Sequence, residues 1–166
     1  MHPEILSITL FGIVAAFTPG PNNFVAFYSG FNFGIKRTLP HIMGVTFGFP
    51  FLLLCIALGF INIFKLYPLI QIILKYLGTI FLIYLAYKIS FSGSQNQEKK
   101  NQNPVKFIET FIFQFLNPKA VIASIIVVST YINPGENFVN YTTQIIILAL
   151  LVSVTSITLW TFLGLS

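Results

Sequence analysis

Long apolar stretches separated by short polar segments run through the whole chain. A helix needs about 20 mostly apolar residues to cross a bilayer. Five stretches meet this length: Ile5–Ser29, Ile42–Phe64, Leu69–Ile89, which follows a helix-starting Pro68, Phe107–Ile132 and Tyr141–Leu163. The pattern predicts an all-α, polytopic transmembrane helical bundle with five spans.

Two of these stretches are interrupted by prolines near their middle. The first contains Thr18-Pro19-Gly20-Pro21-Asn22-Asn23, and the fourth contains Asn117-Pro118-Lys119. A proline inside a helix removes a donor, and its ring clashes with the carbonyl four residues before it. Broken backbone at membrane depth is tolerated only where protein covers it or where it lines a wet cavity. We therefore predict that all residues of the two breaks belong to a substrate-binding site.

The first break carries groups that suit an anionic ligand. The helix that restarts near Asn22 points its positive end at the break, which favours a group such as a carboxylate. Thr18, Asn22 and Asn23 add donors and acceptors without the cost of a buried charge. The alternative is a proline kink in which these side chains only satisfy the backbone.

Charged residues in the fourth stretch are further candidates, because a charge at membrane depth is costly. Lys119 is predicted to pair with a substrate carboxylate, or else to extend toward the cytoplasmic interface along its alkyl stem. Glu109 is a candidate proton carrier for coupling; the alternative is a solvated or Lys106-paired carboxylate. Asn117 is predicted to bind substrate or to hydrogen-bond across to the first break.

The two breaks also divide the chain into halves. Residues 1–90 hold three spans, residues 91–106 form a polar linker, and residues 107–166 hold two spans. Spans one and four run in opposite directions, so the halves are predicted to be inverted repeats. Paired breaks in corresponding segments of such repeats mark a transporter's binding site. The offset between the breaks would place a sixth span beyond Ser166, so the expected 3+3 fold lacks its last helix.

Composition and charge narrow the function classes. The chain is 55% hydrophobic and 8% charged, with a mean hydropathy of +0.84, whereas a soluble domain averages about a quarter charged residues. The net charge of +5 comes from Lys and Arg that cluster in alternate connections. This is typical of positive-inside topology, with the N-terminus outside and residues 91–106 in the cytoplasm. Nucleic acid is not an expected partner.

Glycine spacing predicts where helices meet. Gly44 and Gly48 form a small-xxx-small pattern that lets two helices approach closely. Gly30 and Gly34 have the same spacing, but Lys36 and Arg37 follow them, so we predict a turn at the membrane edge.

No enzyme, metal or cofactor motif is present in the sequence. HExxH, GxSxG, Walker A and dinucleotide-binding patterns are all absent. His2 and His41 are predicted to lie at an end and in a loop, away from any Cys or carboxylate cluster. We predict a protein that is not an enzyme, that binds no metal or cofactor, and whose partners are the lipid bilayer and a small molecule.

The run Ala16-Phe17-Thr18-Pro19-Gly20-Pro21-Asn22-Asn23 resembles the hallmark of the LysE/RhtB superfamily of bacterial amino-acid exporters. Similarity continues in Gly34–Arg37, His41–Gly44 with Gly48, Tyr76–Gly78, Tyr84–Lys88, Phe111, Phe115 and Leu116–Ala120. The resemblance implies a six-helix exporter of the bacterial inner membrane, driven by the proton motive force. The doubled Asn resembles the branch that exports cysteine and O-acetylserine. The homoserine/threonine efflux type is the alternative branch.

The chain departs from the superfamily pattern in two ways. Many members have Asp where this chain has Asn22, so coupling here either uses another group or Asn22 marks a different substrate. Members are also about one helix longer. Three functions therefore stay open. The first is an exporter, in which a second subunit would complete the bundle as a homo-oligomer. The others are an inactive truncated remnant of such an exporter and a non-transporting structural or assembly protein of the membrane.

Overall fold

The fold is taken from a computed structural model, which describes residues 1–60, 66, 68–90, 104–132 and 135–165. All regular secondary structure in these ranges is helical, which confirms the predicted all-α class. The helices are α1 (Ile5–Phe17), α2 (Pro21–Cys55, continued by a π-helical turn Ile56–Phe60), α3 (Pro68–Ser90), α4 (Phe107–Leu116), α5 (Pro118–Tyr131) and α6 (Phe138–Leu165).

Helix α2 folds back on itself at Gly34. This residue has φ 73° and ψ 175°, which is far from helical geometry and favours glycine. Nε2 of His41 lies 3.0 Å from the carbonyl oxygen of Asn22, 19 positions earlier. A straight helix that rises 1.5 Å per residue would separate these positions by about 28 Å. Helix α2 therefore consists of two adjacent arms, α2a (residues 21–33) and α2b (residues 35–55).

This reversal confirms part of the predicted turn and corrects the rest. Gly34 does turn the chain, but Gly30 is helical and buried in α2a. The predicted loop around His41 is wrong, because His41 lies inside α2b and only 1% of its surface is exposed. A single glycine makes the connection, so helix α2b begins well before the predicted second stretch.

Both predicted breaks interrupt helices. Helix α1 ends at Phe17 and α2a begins at Pro21, while α4 and α5 meet at Asn117 with a bend of 62°. Pro21 and Pro118 each occupy the start of the restarted helix. Proline suits this position, since the first turn of a helix has no acceptor for its N–H groups.

The number of spans is not fixed by these helices. By length and composition, Pro21–Gly59 and Phe138–Leu165 could each cross a membrane, and the bent pair α4–α5 is a third candidate if it counts as one span. The five-span count, the 3+3 repeat and the limits 1–90, 91–106 and 107–166 stay predictions. Most of the predicted linker, residues 91–103, lies outside the described residues.

Glycines set the closest helix contacts. A Cβ atom added at Gly30 of α2a would run into the carbonyl oxygen of Thr161 in α6, and one at Gly164 would run into the carbonyl oxygen of Phe27. Because both glycines lack side chains, the backbones of α2a and α6 come within direct contact.

The predicted close-packing face of Gly44 and Gly48 is confirmed, and it lies against α4. A Cβ at Gly44 would stand 2.6 Å from Cβ of Thr110, and one at Gly48 would stand 2.8 Å from Cγ of Gln114. These contacts bring α4 beside both arms of α2 and place Thr110 and Gln114 next to the first break.

The glycine contact between α2a and α6 can be tested with two identical substitutions. We expect Gly30→Ala to lower the free energy of unfolding by about 1–3 kcal/mol, because the new methyl group overpacks against backbone. Gly12→Ala is the control: nothing lies within 4 Å of its added Cβ, and alanine is favoured over glycine inside a helix by about 0.5–1 kcal/mol. Denaturant unfolding in detergent micelles measures both. Equal stability of the two variants would contradict the contact.

Candidate functional site

A cavity of about 110 Å³ lies between the two helix breaks. Its apolar wall includes Phe11, Phe49, Val127 and Leu148. The polar and charged side chains of its lining are Asn22, Asn23, Gln114, Asn117, Lys119, Ser153 and Ser156. A cavity of about 150 Å³ holds a molecule of the size of benzene, so this space suits a ligand of similarly few heavy atoms.

Six of the nine predicted substrate-binding residues line this cavity: Gly20, Pro21, Asn22, Asn23, Asn117 and Lys119. Thr18, Pro19 and Pro118 are outside the lining and form the bends themselves. The sequence therefore located the cavity, and the contacts below separate the residues by what they bind.

The end of α1 releases carbonyl groups that have no helical partner. The backbone N–H of Thr18 makes the last helical bond, to the carbonyl of Val14 at 3.2 Å, and its hydroxyl covers the first released carbonyl, that of Ala15, at 3.1 Å. Nδ2 of Asn23 donates to the carbonyl oxygens of Ala16 at 2.9 Å and of Thr18 at 2.8 Å. Asn23 thus satisfies the backbone, as the kink alternative predicted for it.

Helix α6 completes this set of donors from the other side of the break. The Ser156 hydroxyl donates to the carbonyl of Ala16 at 2.8 Å, and Nε1 of Trp160 donates to that of Phe17 at 3.3 Å. The carbonyls released by the first break are therefore bound by side chains from several helices.

Lys119 joins the second break to the first. Its Nζ lies 2.5 Å from the carbonyl oxygen of Thr18 and 3.4 Å from that of Pro19. Gly20 makes room for this side chain, because a Cβ there would stand 2.9 Å from Nζ. The ammonium group sits beyond the C-terminal end of α1, where the helix dipole favours a cation. Among the described residues that line the cavity, Lys119 is the only charged one.

A pair of amides forms a second link between the breaks. Nδ2 of Asn22 donates to Oε1 of Gln114 at 2.9 Å, and Nε2 of Gln114 lies 3.4 Å from Oδ1 of Asn22. The same Nε2 donates to the carbonyl of Thr110 at 2.8 Å. Gln114 is fully buried. The sequence reasoning missed it, although a lone Gln among the aromatic residues that lead into Asn117 was a usable signal.

His41 stands behind this amide pair. Its Nε2 is 3.0 Å from the carbonyl oxygen of Asn22, and its Nδ1 is 2.9 Å from the hydroxyl oxygen of Thr110. The sequence reasoning missed this contact as well, because the basic residues just before His41 indicated a loop.

The side chains of Asn117 and Glu109 both bond backbone N–H groups. Oδ1 of Asn117 accepts from the backbone N–H of Lys119 at 3.1 Å, so this side chain caps α5, and the link predicted for it is made by Lys119 and Gln114. Oε2 of Glu109 accepts from the backbone N–H of Lys106 at 2.9 Å, at the start of α4. Glu109 is not among the cavity-lining residues, and its role as a proton carrier stays a prediction.

Comparison with known proteins identifies the family. Residues 13–166 match the family model described as a LysE type translocator. The chain belongs to the LysE translocator family. It is 30% identical to a cysteine/O-acetylserine efflux protein of Salmonella paratyphi A, and 29% and 25% identical to those of Salmonella typhimurium and Escherichia coli K12. Each match covers 99% of this chain and 84% of the relative. No solved structure matches it significantly.

Membership in the LysE family confirms the predicted superfamily. It also makes this chain a membrane protein of a translocator family rather than an enzyme. The two proline breaks that carried the resemblance are the segments that border the cavity.

The different bonding of the two asparagines predicts opposite outcomes for the same substitution. We expect Asn22→Asp to be tolerated better than Asn23→Asp, because it loses only the donor to Oε1 of Gln114, a side chain whose Nε2 can turn to the carboxylate, and because the nearby helix start and Lys119 favour negative charge. Asn23→Asp removes the donor to two carbonyls and places a carboxylate against them. Each buried group left unsatisfied costs about 1–3 kcal/mol.

Thermal unfolding in detergent and the yield of monodisperse protein measure both variants. A lower unfolding midpoint for Asn23→Asp, with Asn22→Asp near the parent, is the expected result. If Asn22→Asp had the lower midpoint instead, the stabilising role given to the Asn23 donor at the first break would be refuted.

Proposed function

We propose that this LysE-family protein exports a small, neutral amino acid or amino-acid derivative, such as cysteine or O-acetylserine, from the cytoplasm. The observation that carries the proposal is the cavity between the two breaks, into which both restarted helices direct their first residues. The relatives named above are cysteine/O-acetylserine efflux proteins, which supports this substrate class.

The polar end of the cavity is suited to a substrate carboxylate. Asn22 and Asn23 lie in the first turn of α2a, where backbone N–H groups have no acceptor within the helix. Nζ of Lys119 donates two hydrogen bonds to carbonyls of the first break, and an ammonium group has three N–H donors. The substrate carboxylate would bind between the remaining Lys119 donor and these N–H groups.

The apolar wall sets the size of the substrate side chain. Phe11, Phe49, Val127 and Leu148 form part of the cavity lining. A short side chain fits this space, whereas a charged or long one would need polar partners that the wall does not supply. The Ser153 hydroxyl in the lining can accept or donate to a polar substrate side chain.

Transport would follow from movement at the breaks, which expose the cavity alternately to the two sides of the bacterial inner membrane. We place the N-terminus outside and residues 91–106 in the cytoplasm, as the distribution of Lys and Arg predicts. The proton motive force drives export in this proposal. Association into homo-oligomers is a further expectation, which crosslinking in membranes would check.

Filling the cavity tests the transport site directly. We expect Ala149→Phe to reduce export at least about tenfold, a loss that corresponds to about 1.4 kcal/mol, because the ring occupies space that the substrate needs. Ala149 lines the cavity, while Leu151 of the same helix is 59% exposed. Leu151→Phe is therefore the matched control and should export as the parent does.

The assay is uptake of radiolabelled cysteine or O-acetylserine into energised inverted membrane vesicles, with and without a protonophore. Equal amounts of each variant in the membrane are verified first. Export by Ala149→Phe at the rate of the parent would show that the cavity is not the transport site. If the protonophore leaves export by the parent unchanged, proton coupling is refuted, and the proposed substrate and site are not affected by that result.

Replacing Lys119 tests carboxylate recognition. We expect the parent to prefer an amino acid over its amide, because only the carboxylate pairs with the ammonium group. Lys119→Gln should lose most of this preference, since glutamine can still donate to the carbonyl of Thr18 but carries no charge. Competition of each compound against labelled substrate measures the preference. Lys106→Gln, at the start of α4, is the control. An unchanged preference in Lys119→Gln would contradict this role.

A further inference from the structure

Four residues form a closed ring of hydrogen bonds behind the cavity. The side chain of Asn22 bonds Gln114, Gln114 bonds the carbonyl of Thr110, the Thr110 hydroxyl bonds His41, and His41 returns to the carbonyl of Asn22. We call these four residues the locking ring. It joins α2a, α2b and α4, and so it holds the first break against the helix that leads into the second.

We propose that His41, the one titratable side chain of the locking ring, binds the coupling proton, and that its protonation opens the Asn22–Gln114 link between the two breaks. The inference rests on the proposed export function for its role in transport. It assigns proton coupling to a residue that bonds Asn22, rather than to Glu109 in the first turn of α4.

The contacts of His41 define its neutral form. A backbone carbonyl can only accept, so Nε2 must carry the hydrogen that bonds Asn22. In the neutral ring Nδ1 then accepts from the Thr110 hydroxyl. This tautomer is fixed by partners on two different helices, α2a and α4.

Protonation changes the bond to Thr110. A proton added at Nδ1 turns that nitrogen into a donor, so the Thr110 oxygen must accept. Its own hydrogen then has to turn to another acceptor, for which the carbonyl four residues back in the helix is available. The bond survives only with this rearrangement, and it leaves a positive charge in the ring.

The surroundings of His41 do not compensate that charge. Its hydrogen-bonding neighbours, Asn22 and Thr110, are neutral. The charged residues of α2b, α4 and α5 are three cations, Lys36, Arg37 and Lys119, and one carboxylate, that of Glu109, which accepts from the backbone N–H of Lys106. No described residue forms an ion pair with His41. A buried, unpaired charge is unfavourable, so the protonated state favours a conformation that admits water to the ring.

Water has a route from the cavity side, because Asn22 both lines the cavity and bonds His41. Entry of water there would separate Asn22 from Gln114, and this separation frees α2a from α4. Loss of the proton to the other side of the membrane restores the ring. One proton bound and released at His41 then accompanies each cycle of the breaks.

The single tryptophan provides a direct readout of the first break, since Trp160 donates to the carbonyl of Phe17. Its fluorescence is recorded in lipid nanodiscs from about pH 4 to about pH 9, the range in which histidine titrates. The parent should show a transition. His41→Gln should not, because glutamine can donate to Asn22 and accept from Thr110 but does not bind a proton in this range.

His2→Gln is the matched control. His2 is also buried and also lies within hydrogen-bonding distance of a backbone carbonyl, that of Tyr131 at 2.8 Å. This variant should keep the transition of the parent. A transition that persists in His41→Gln, or that disappears equally in His2→Gln, would overturn the assignment.

Transport supplies the second readout, using proteoliposomes. His41→Gln should lose the stimulation by a pH gradient, measured as the ratio of its export with a gradient to its own exchange at equal pH on both sides. Stimulation of His41→Gln equal to that of the parent, or its loss in Glu109→Gln alone, would refute the proposal. If the parent transports nothing while its tryptophan transition depends on His41, the export function fails and the proton-dependent opening of the Asn22–Gln114 link stands.

Discussion

The bundle depends on satisfying the backbone carbonyls that prolines release in its interior. Each buried carbonyl left without a donor costs about 1–3 kcal/mol, so a few of them would cancel a typical net stability of about 5–15 kcal/mol. The donors to the first break come from Asn23 on α2a, Lys119 on α5, and Ser156 and Trp160 on α6. The helices must therefore pack around the end of α1 for its released carbonyls to find donors. The cavity lies between these helices at the breaks.

The same requirement places structure and binding in competition for Lys119. Its ammonium group stabilises the C-terminal end of α1 and is also the one charged group among the described lining residues. A substrate carboxylate that draws Lys119 toward the cavity weakens its bonds to Thr18 and Pro19. Under the proposed export function, ligand binding and the geometry of the first break would thereby be coupled through the Lys119 side chain, which offers a physical route from substrate occupancy to helix movement.

Local features of this fold could be predicted from the sequence, and contacts between distant residues could not. Prolines fixed both breaks and the start of α3 at Pro68, because their effect on a helix is local. The reversal at Gly34 was only partly predicted. Lys36 and Arg37 indicate on which side of the membrane this segment lies, but they do not indicate where a helix ends. Asn22 and Asn23 look equivalent in the sequence. Their roles differ because Asn22 meets Gln114 and Asn23 meets the carbonyls of α1. The order of neighbouring residues in the sequence does not reveal these tertiary contacts.

The neutral amide at position 22 determines the charge that the cavity offers. An aspartate there would add a carboxylate to the cavity lining that also holds Lys119, and it would offset the charge of the ammonium group. With Asn22, the amide pairs with Gln114 and Lys119 keeps an uncompensated positive charge. Under the proposed export function, such a site would favour a ligand that carries one carboxylate and a small neutral side chain, and it would disfavour a cation on that side chain. Asn22 also leaves the locking ring without a carboxylate, so that a proton bound at His41, as proposed, would add a charge that no member of the ring offsets.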